Sequence, residues 1–332
     1  MPPNQTNQTN QTNQTNQKNQ KNQINQTNQT NQINQTNQKN QTNQINQINQ
    51  TNQTNQKNQK NQTNQTNQTN QINQKNQTNQ TNSFSPPRTN ILGVGVSAVN
   101  MSMVLSMIDD WIERKEKHYI CLCTVHGIME CQSDPELKKI FNRSGLTTPD
   151  GMPLVFLSRL SGKRWVDRVY GPDLLLALCH HSQSKGYRHF FYGGEEGVAE
   201  RLVQRLTNLF PKLEVCGTFT PPFRPLTEEE DQQVISAINL ARPDIVWVGL
   251  STPKQERWMA GHIDRLQAPV LIGIGAAFDF ISQRKPQAPR WIQRSGLEWL
   301  FRLLNEPRRL AFRYLIYNPL FLLLLIKEKA GL

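Results

Sequence analysis

Polar residues able to do chemistry recur at one kind of place in this chain, at or just after the end of a short apolar run. Thr124 and His126 close the run that begins at Tyr119. Asp150 follows Leu146–Thr148, and Gly193-Gly194 follow Arg188–Tyr192. Thr252–Gln255 follow Asp244–Gly249, and Asp279 follows Pro269–Gly273. Asp150 stands between Pro149 and Gly151, in a turn ahead of a helix, where its carboxylate either caps the helix or faces a cleft. The turn Gly193-Gly194-Glu195-Glu196-Gly197 leads a strand into a helix whose N-terminus can take a phosphate, although its two acids oppose an anion; a tight turn with no ligand reads equally well. The histidines complete no zinc spacing and the five cysteines contain no C-x-x-C pair, so no metal is expected. Cys121 and Cys123 flank Leu122 in an apolar run, as small buried hydrophobes of a reducing compartment do.

The elements that must position these residues alternate in type. Ile91–Val96 is a β-branched run, followed by a helix with Val104, Leu105, Ile108, Trp111 and Ile112 on one face. The next strand is Tyr119–Thr124. Ser133-Asp134-Pro135-Glu136 opens a helix in capping-box fashion. Strands at 146–148, 188–192, 213–218, 244–249 and 269–273 alternate with helices at 171–184, 195–209, after Thr227, and near 254–263. This order predicts an α/β fold: a Rossmann-like, mostly parallel sheet with helices on both faces and its site beyond the carboxyl ends of the strands. A dinucleotide-binding dehydrogenase does not fit, because Gly93-x-Gly95 lacks the third glycine, and no Walker A lysine motif is present.

The 332 residues are not one population. From Asn4 to Asn82 the chain repeats Asn-Gln-X, with Thr, Lys or Ile at X. A period of three matches neither strand nor helix, and Asn and Gln offer nothing to bury, so residues 1–83 are expected to be a disordered tail. The repeat dilutes the whole-chain mean hydropathy to -0.67. It carries Lys18, Lys21, Lys39, Lys57, Lys60 and Lys75 and no acid, which is +6 of the net +12. Much of the remaining positive charge lies from Arg284 to Arg313 and suggests an anionic partner. Nucleic acid is not expected, since no reading module accompanies the charge. No signal-peptide pattern opens the chain, and the apolar run Leu320–Ile326 is too short to span a bilayer.

Six segments together resemble the WecG/TagA/CpsF glycosyltransferases. They are Thr124-Val125-His126, Thr148-Pro149-Asp150-Gly151-Met152-Pro153, Arg168-Val169-Tyr170-Gly171-Pro172-Asp173-Leu174, Gly249-Leu250-Ser251-Thr252-Pro253-Lys254-Gln255-Glu256, Gly273–Phe280, and Gly296-Leu297-Glu298-Trp299-Leu300 with Arg302, Leu303, Glu306, Pro307 and Arg309. The resemblance runs from about Ile91 to Tyr314. It implies inverting transfer of a sugar from a UDP-sugar to a polyprenyl-diphosphate-linked saccharide in cell-surface polysaccharide synthesis, with no tightly bound metal and no other cofactor. On this pattern Asp150 matches the general base and Arg168 the arginine that steadies the departing diphosphate. Thr124 is a hydrogen-bond donor, Gln255 and Lys254 touch the donor sugar-nucleotide, and Asp279 lies near the nucleobase. Gly193 and Gly194 remain phosphate candidates. The chain departs from the family at His126, where Asn is common; a histidine there can donate a hydrogen bond, alter sugar choice or compete with Asp150 as base.

The resemblance divides the chain into a tail (1–83), a Rossmann-like domain (90–285) and a C-terminal helical appendage (286–332). Leu297, Leu300, Leu303 and Leu304 have helical spacing, near Trp291 and Trp299, and Tyr314–Ile326 is apolar. With Arg302, Arg308, Arg309 and Arg313 alongside, the stretch suits an interfacial membrane segment. The family implies that such an appendage engages the membrane and lends arginines to the diphosphate. The expected location is therefore peripheral, on the inner face of the plasma membrane, and a homo-oligomer is allowed. The rival reading is a non-catalytic protein that binds a nucleotide-sugar or a lipid diphosphate.

Overall fold

The computed structural model describes residues 85–330 and, before them, Lys21 alone; the side chains of Arg294 and Arg313 are outside the description. The expected disorder of residues 1–83 therefore lies outside the described residues. The chain divides into two units, Met1–Ser83 and Phe84–Leu332, and residues 286–332 belong to the same unit as the sheet.

Phe84–Leu332 is built on a six-stranded sheet. In chain order the strands are β3 (His118–Cys123), β4 (Leu146–Pro149), β5 (Arg188–Gly193), β6 (Glu214–Phe219), β7 (Ile245–Gly249) and β8 (Val270–Gly273), and in space they run β4-β3-β8-β7-β5-β6. Every pairing is parallel. Two-sided burial explains why these strands read as unbroken apolar runs. Ile120, Leu122, Phe191, Ile245, Trp247, Val270 and Ile272 enter one core, and their neighbours Tyr119, Cys121, Cys123, Phe190, Tyr192, Val246, Val248 and Leu271 enter another. Each such fully buried side chain contributes about 1.5–3 kcal/mol relative to remaining in water. The first core is covered by α1 (Met101–Arg114), α5 (Gly171–Lys185), α6 (Val198–Leu209) and α9 (Ala277–Ile281). The second is covered by α2 (Val125–Ser133), α3 (Pro135–Arg143), α7 (Glu228–Ala241) and α8 (Lys254–His262). A further helix, α4 (Met152–Leu160), follows β4. All five cysteines are free thiols, and Cys121, Cys123, Cys131 and Cys179 are buried.

Two expectations are corrected. Ile91–Val96 is not a strand of the main sheet; it straddles an antiparallel hairpin of β1 (Arg88–Ile91) and β2 (Val94–Ser97). Its two-residue turn has Leu92 and Gly93 both at positive φ, the conformation that right-twisted hairpins favour. Residues 125–133, given no element from sequence, form α2. The capping signals fare better. Asp134 accepts a bond from the Leu137 amide at the head of α3, and Thr227 with Glu230 forms a full capping box on α7.

The appendage comprises α10 (Arg290–Ser295), α11 (Glu298–Asn305), α12 (Pro307–Leu315) and α13 (Tyr317–Ala330). The helical run Pro307–Ala330 has 24 residues, and an 18-residue window within it has a mean hydropathy of 1.5, enough by length and composition alone to cross a membrane. The run comprises two helices meeting at Ile316, and the apolar stretch read from sequence, Leu320–Ile326, lies wholly in the second. One face of α13 is docked on the domain: Phe321 is buried in the second core, and the Tyr317 hydroxyl donates to Glu130 on α2 at 3.1 Å.

Candidate active site

The carboxyl ends of β3 and β8 lie side by side, and the chain leaves them in opposite directions. After β3 it enters α2 on the second core, and after β8 it enters α9 on the first. Such a divergence opens a crevice at the strand ends. Here it is a cavity of ≈ 420 Å³, the size of a small-ligand site. The appendage closes part of it: Glu298, Trp299, Arg302, Arg309, Tyr314, Asn318 and Phe321 join the lining.

Asp150 is fixed by the backbone. Its amide donates to the Cys123 carbonyl at 2.9 Å, carrying the β3–β4 ladder one step beyond the strands. The next segment returns to the same place, because the Val169 amide donates to the Pro149 carbonyl at 3.0 Å. This puts Arg168 beside Asp150. Arg168 Nε donates to the Asp150 carbonyl, Nη2 donates to Glu298 at 2.6 Å, and Nη2 lies 3.6 Å from Asp150 Oδ1. The guanidinium also sits 4.1 Å from the centre of the Tyr170 ring.

The Asp150 side chain is 18% exposed. Its Oδ1 is buried and has no hydrogen bond. The helix that follows is capped by Gly151 without any side-chain bond, so Asp150 is not serving as its N-cap. Burial pushes the Asp150 carboxyl up to about 6; Arg168 draws it back down, and Glu298 adds to the rise. Burial works against charge on Arg168, yet the Asp150 and Glu298 carboxylates hold it more firmly protonated than usual. Arg302 is half-buried and held charged, by Tyr314 and Glu298 among others, with its Nε buried and without a hydrogen bond.

Gln255, 3% exposed, lines the other wall. Its Nε2 donates to Glu256 at 3.0 Å, as the Thr252 hydroxyl does at 2.9 Å. Its Oε1 has no hydrogen bond. The amide lies against Gly273, where an added Cβ would come within 2.7 Å of Met259 and 3.1 Å of Gln255. Helices supply the remaining polarity. The N-termini of α2, α4, α5 and α8 meet the cavity, and none has a side-chain cap bond. The side-chain-capped helices α1, α3 and α7 contribute nothing to the lining. Uncapped N-termini turn the positive end of the helix dipole toward the cavity, which attracts phosphate. Proline, however, removes one first-turn amide from α4 and from α5, and the Leu154 and Gln255 amides are bonded to the Gly151 and Ser251 carbonyls.

Of the residues expected from sequence, Thr124, His126, Asp150, Arg168, Gln255, Arg302 and Arg309 line one cavity. The others lie outside its lining. Lys254 Nζ sits over the Phe223 ring at 5.1 Å. Asp279 is paired with Arg284 at 3.1 Å and Lys285 at 3.4 Å. Gly193, at φ 120, is needed for a close approach, because a Cβ there would lie 2.7 Å from the Gly249 carbonyl oxygen. Gly194 packs against Val198 and Phe278. Arg308 is exposed, and the Arg313 side chain is outside the described residues. Sequence reasoning assigned no role to Glu298, Tyr170, Gln293 or Asn318. For Glu298 a signal existed: it stands four residues before Arg302 at the start of an otherwise apolar helix. Among the described residues no group of His, Cys, Asp and Glu is placed to hold a metal ion.

Comparison with known proteins agrees with this geometry. The model of the family described as "Glycosyl transferase WecG/TagA/CpsF family" matches residues 89–332. Relatives named N-acetylglucosaminyldiphosphoundecaprenol N-acetyl-beta-D-mannosaminyltransferase are similar along nearly their whole length. That of Bacillus subtilis (strain 168) is 28% identical over 238 residues, covering 69% of this chain and 90% of the relative. That of Bacillus spizizenii (strain ATCC 23059 / NRRL B-14472 / W23) is 26% identical, covering 69% and 86%. That of Staphylococcus aureus (strain MW2) is 22% identical, covering 73% and 93%. With the matched span taking in the whole sheet, every wall of the cavity and the appendage, this chain belongs to the WecG/TagA/CpsF family and is a glycosyltransferase.

Proposed function

We propose that this protein transfers an N-acetylhexosamine, with inversion, from a UDP-sugar to a polyprenyl-diphosphate-linked saccharide. The observation that carries this reading is Asp150: a largely buried carboxylate whose Oδ1 makes no hydrogen bond and lies 3.6 Å from Arg168, in a cavity at the strand ends that Arg302 also lines. The names of the relatives supply the substrate class: an N-acetylmannosaminyl group moved to N-acetylglucosamine on undecaprenyl diphosphate.

In the proposed reaction the acceptor hydroxyl gives its proton to Asp150 while its oxygen forms a bond to the anomeric carbon. The bond from that carbon to UDP breaks from the opposite face, and its electron pair goes to the diphosphate. Charge accumulating there is met by Arg168, Arg302, Arg309 and the uncapped helix N-termini. Gln255 and Thr124 orient the donor, and the proton on Asp150 then passes to water. Docked α13 keeps its buried face on the domain and turns Leu320, Leu322, Leu323 and Ile326 outward, with Lys327 and Lys329 in its last turn. That surface suits the headgroup region of an anionic bilayer and supports a peripheral position on the cytoplasmic face, where the protein would meet the lipid-linked acceptor.

Radiolabel transfer from UDP-N-acetylmannosamine to N-acetylglucosaminyl-diphosphoundecaprenol in vesicles is the test. Loss of lipid-soluble label in both Asp150→Ala and Arg168→Ala is expected. UDP binding with no transfer from any UDP-sugar would favour the non-catalytic binder. Transfer that survives Asp150→Ala would move the base elsewhere, with His126 in the same cavity the next candidate.

A further inference from the structure

Asp150 and Arg168 pose a problem that a third residue resolves. A base must give up its partner to take a proton, and a buried carboxylate beside an arginine normally forms a short, charge-assisted pair with it. Such pairing holds an aspartate ionised and weakens it as a base. The two residues touch here, yet they do not pair in that way. Arg168 Nε is held by the Asp150 main-chain carbonyl, but its nearest carboxylate is Glu298 at 2.6 Å, whereas Asp150 Oδ1 is 3.6 Å away and has no hydrogen bond.

We propose that Glu298 is a positioning residue: it draws the Arg168 guanidinium toward the appendage and so leaves the Asp150 carboxylate open to the acceptor's proton. This rests on the reading of Asp150 as the base. Glu298 suits the part for three reasons. It is the first residue of α11, with a side chain only 10% exposed, so little water competes for the bond. It reaches Arg168 across 130 residues of sequence, so the bond exists only while the appendage is docked. Its charge also faces Asp150 directly and, with burial, favours the protonated form there. The base is therefore prepared by the same segment that brings Arg302 and Arg309 to the cavity. A detached appendage leaves Arg168 to close on Asp150, and the enzyme rests in a weakly basic form.

Other charged groups face Asp150 as well. Arg302 on α11 draws its carboxyl down, and Asp173 on α5 raises it while being held by Arg290 at 2.7 Å. His126 on α2, Arg309 on α12 and the phenols of Tyr170 and Tyr314 line the same cavity. The buried Cys123 thiol of β3 is near enough for the Asp150 charge to raise it, as burial does more strongly. Glu298 alone among them is bonded to Arg168, which gives its removal a distinct signature.

The experiment measures kcat/KM for label transfer against pH in the full-length protein, for the wild type and for Glu298→Gln, Glu298→Asp and Asp150→Asn. Removing the Glu298 charge frees Arg168 for Asp150, so the acid limb of the Glu298→Gln profile should move to lower pH by about 1 unit, the scale of one close charge. Its plateau should fall at least tenfold, with KM for the donor changed less than kcat. Glu298→Asp keeps the carboxylate and should retain the wild-type limb. A folded Glu298→Gln protein whose limb stays in place would overturn the proposal while leaving Asp150 as the base. Transfer retained by Asp150→Asn would instead overturn the reading beneath it. If Glu298→Gln does not fold, Glu298→Asp decides: a limb moved to higher pH contradicts the proposal.

Discussion

Replacing Asp150 by asparagine should make this protein more stable at neutral pH while abolishing transfer. The structure gives the size of the effect. Asp150 is raised from 3.8 to about 6, chiefly by burial, so the folded chain holds its proton more tightly than the unfolded chain does. Between those two values the native state binds more protons, and stability falls as pH rises. The loss is complete once Asp150 is ionised in both states, above about pH 7, where it amounts to roughly 3 kcal/mol. The side chain is only 18% exposed, so solvent screening removes little of this. Asparagine carries no charge and escapes the cost. For a domain of this size roughly 3 kcal/mol corresponds to about 6–12 °C in Tm. Calorimetric scans of both proteins from about pH 3 to 8 should show coincident Tm values only at the acid end, below the unfolded-state value of 3.8. The variant's advantage should widen between 3.8 and about pH 6 and level off above about pH 7. An asparagine variant less stable than wild type at pH 7.5, or a gap of constant size across the range, would refute the reasoning. Either would mean that Arg168 repays the burial of a charged Asp150 in full.

Three further outcomes are expected. Transfer by the wild type should fall about tenfold per pH unit below pH ~6 and be flat above it, since only ionised Asp150 accepts the proton; kcat/KM against pH checks this. Gly193→Ala should cost roughly 1–3 kcal/mol in chemical denaturation, because it puts a Cβ on a backbone at φ 120 and against the Gly249 carbonyl. A chain ending at Glu306 loses Arg309, Tyr314, Asn318, Phe321 and Leu322 from the cavity wall. It should still bind UDP by titration calorimetry, yet lose transfer to the lipid-linked acceptor and no longer sediment with phosphatidylglycerol vesicles.

The sequence by itself determined whatever depends on neighbours a few residues apart. The apolar runs at 119–124, 188–192, 244–249 and 269–273 are strands because two-sided burial leaves no polar alternation to hide them, and the Thr227 capping box opens α7 as read. Asp150, Thr124 and Gln255 were legible as residues that line one cavity, because in a parallel α/β sheet the crevice opens where apolar runs end. Local pattern misled where local signals were mixed. The hairpin turn at Leu92-Gly93 carries one turn-forming residue, and α2 contains Gly127, which lowers helix propensity but lets Phe141 approach to 3.3 Å of a would-be Cβ. Asp279 and Lys254 share the strand-end signature of the true lining residues, but ion pairs with Arg284 and Lys285 and a contact with Phe223 occupy them elsewhere. What only the tertiary structure decided is the company each residue keeps. Arg168 meets Asp150 through a bond between the Val169 amide and Pro149, and it meets Glu298 across 130 residues. No periodicity encodes such contacts. They are fixed when apolar faces on separate elements bury one another, and the charges carried along must then find partners in the space that remains.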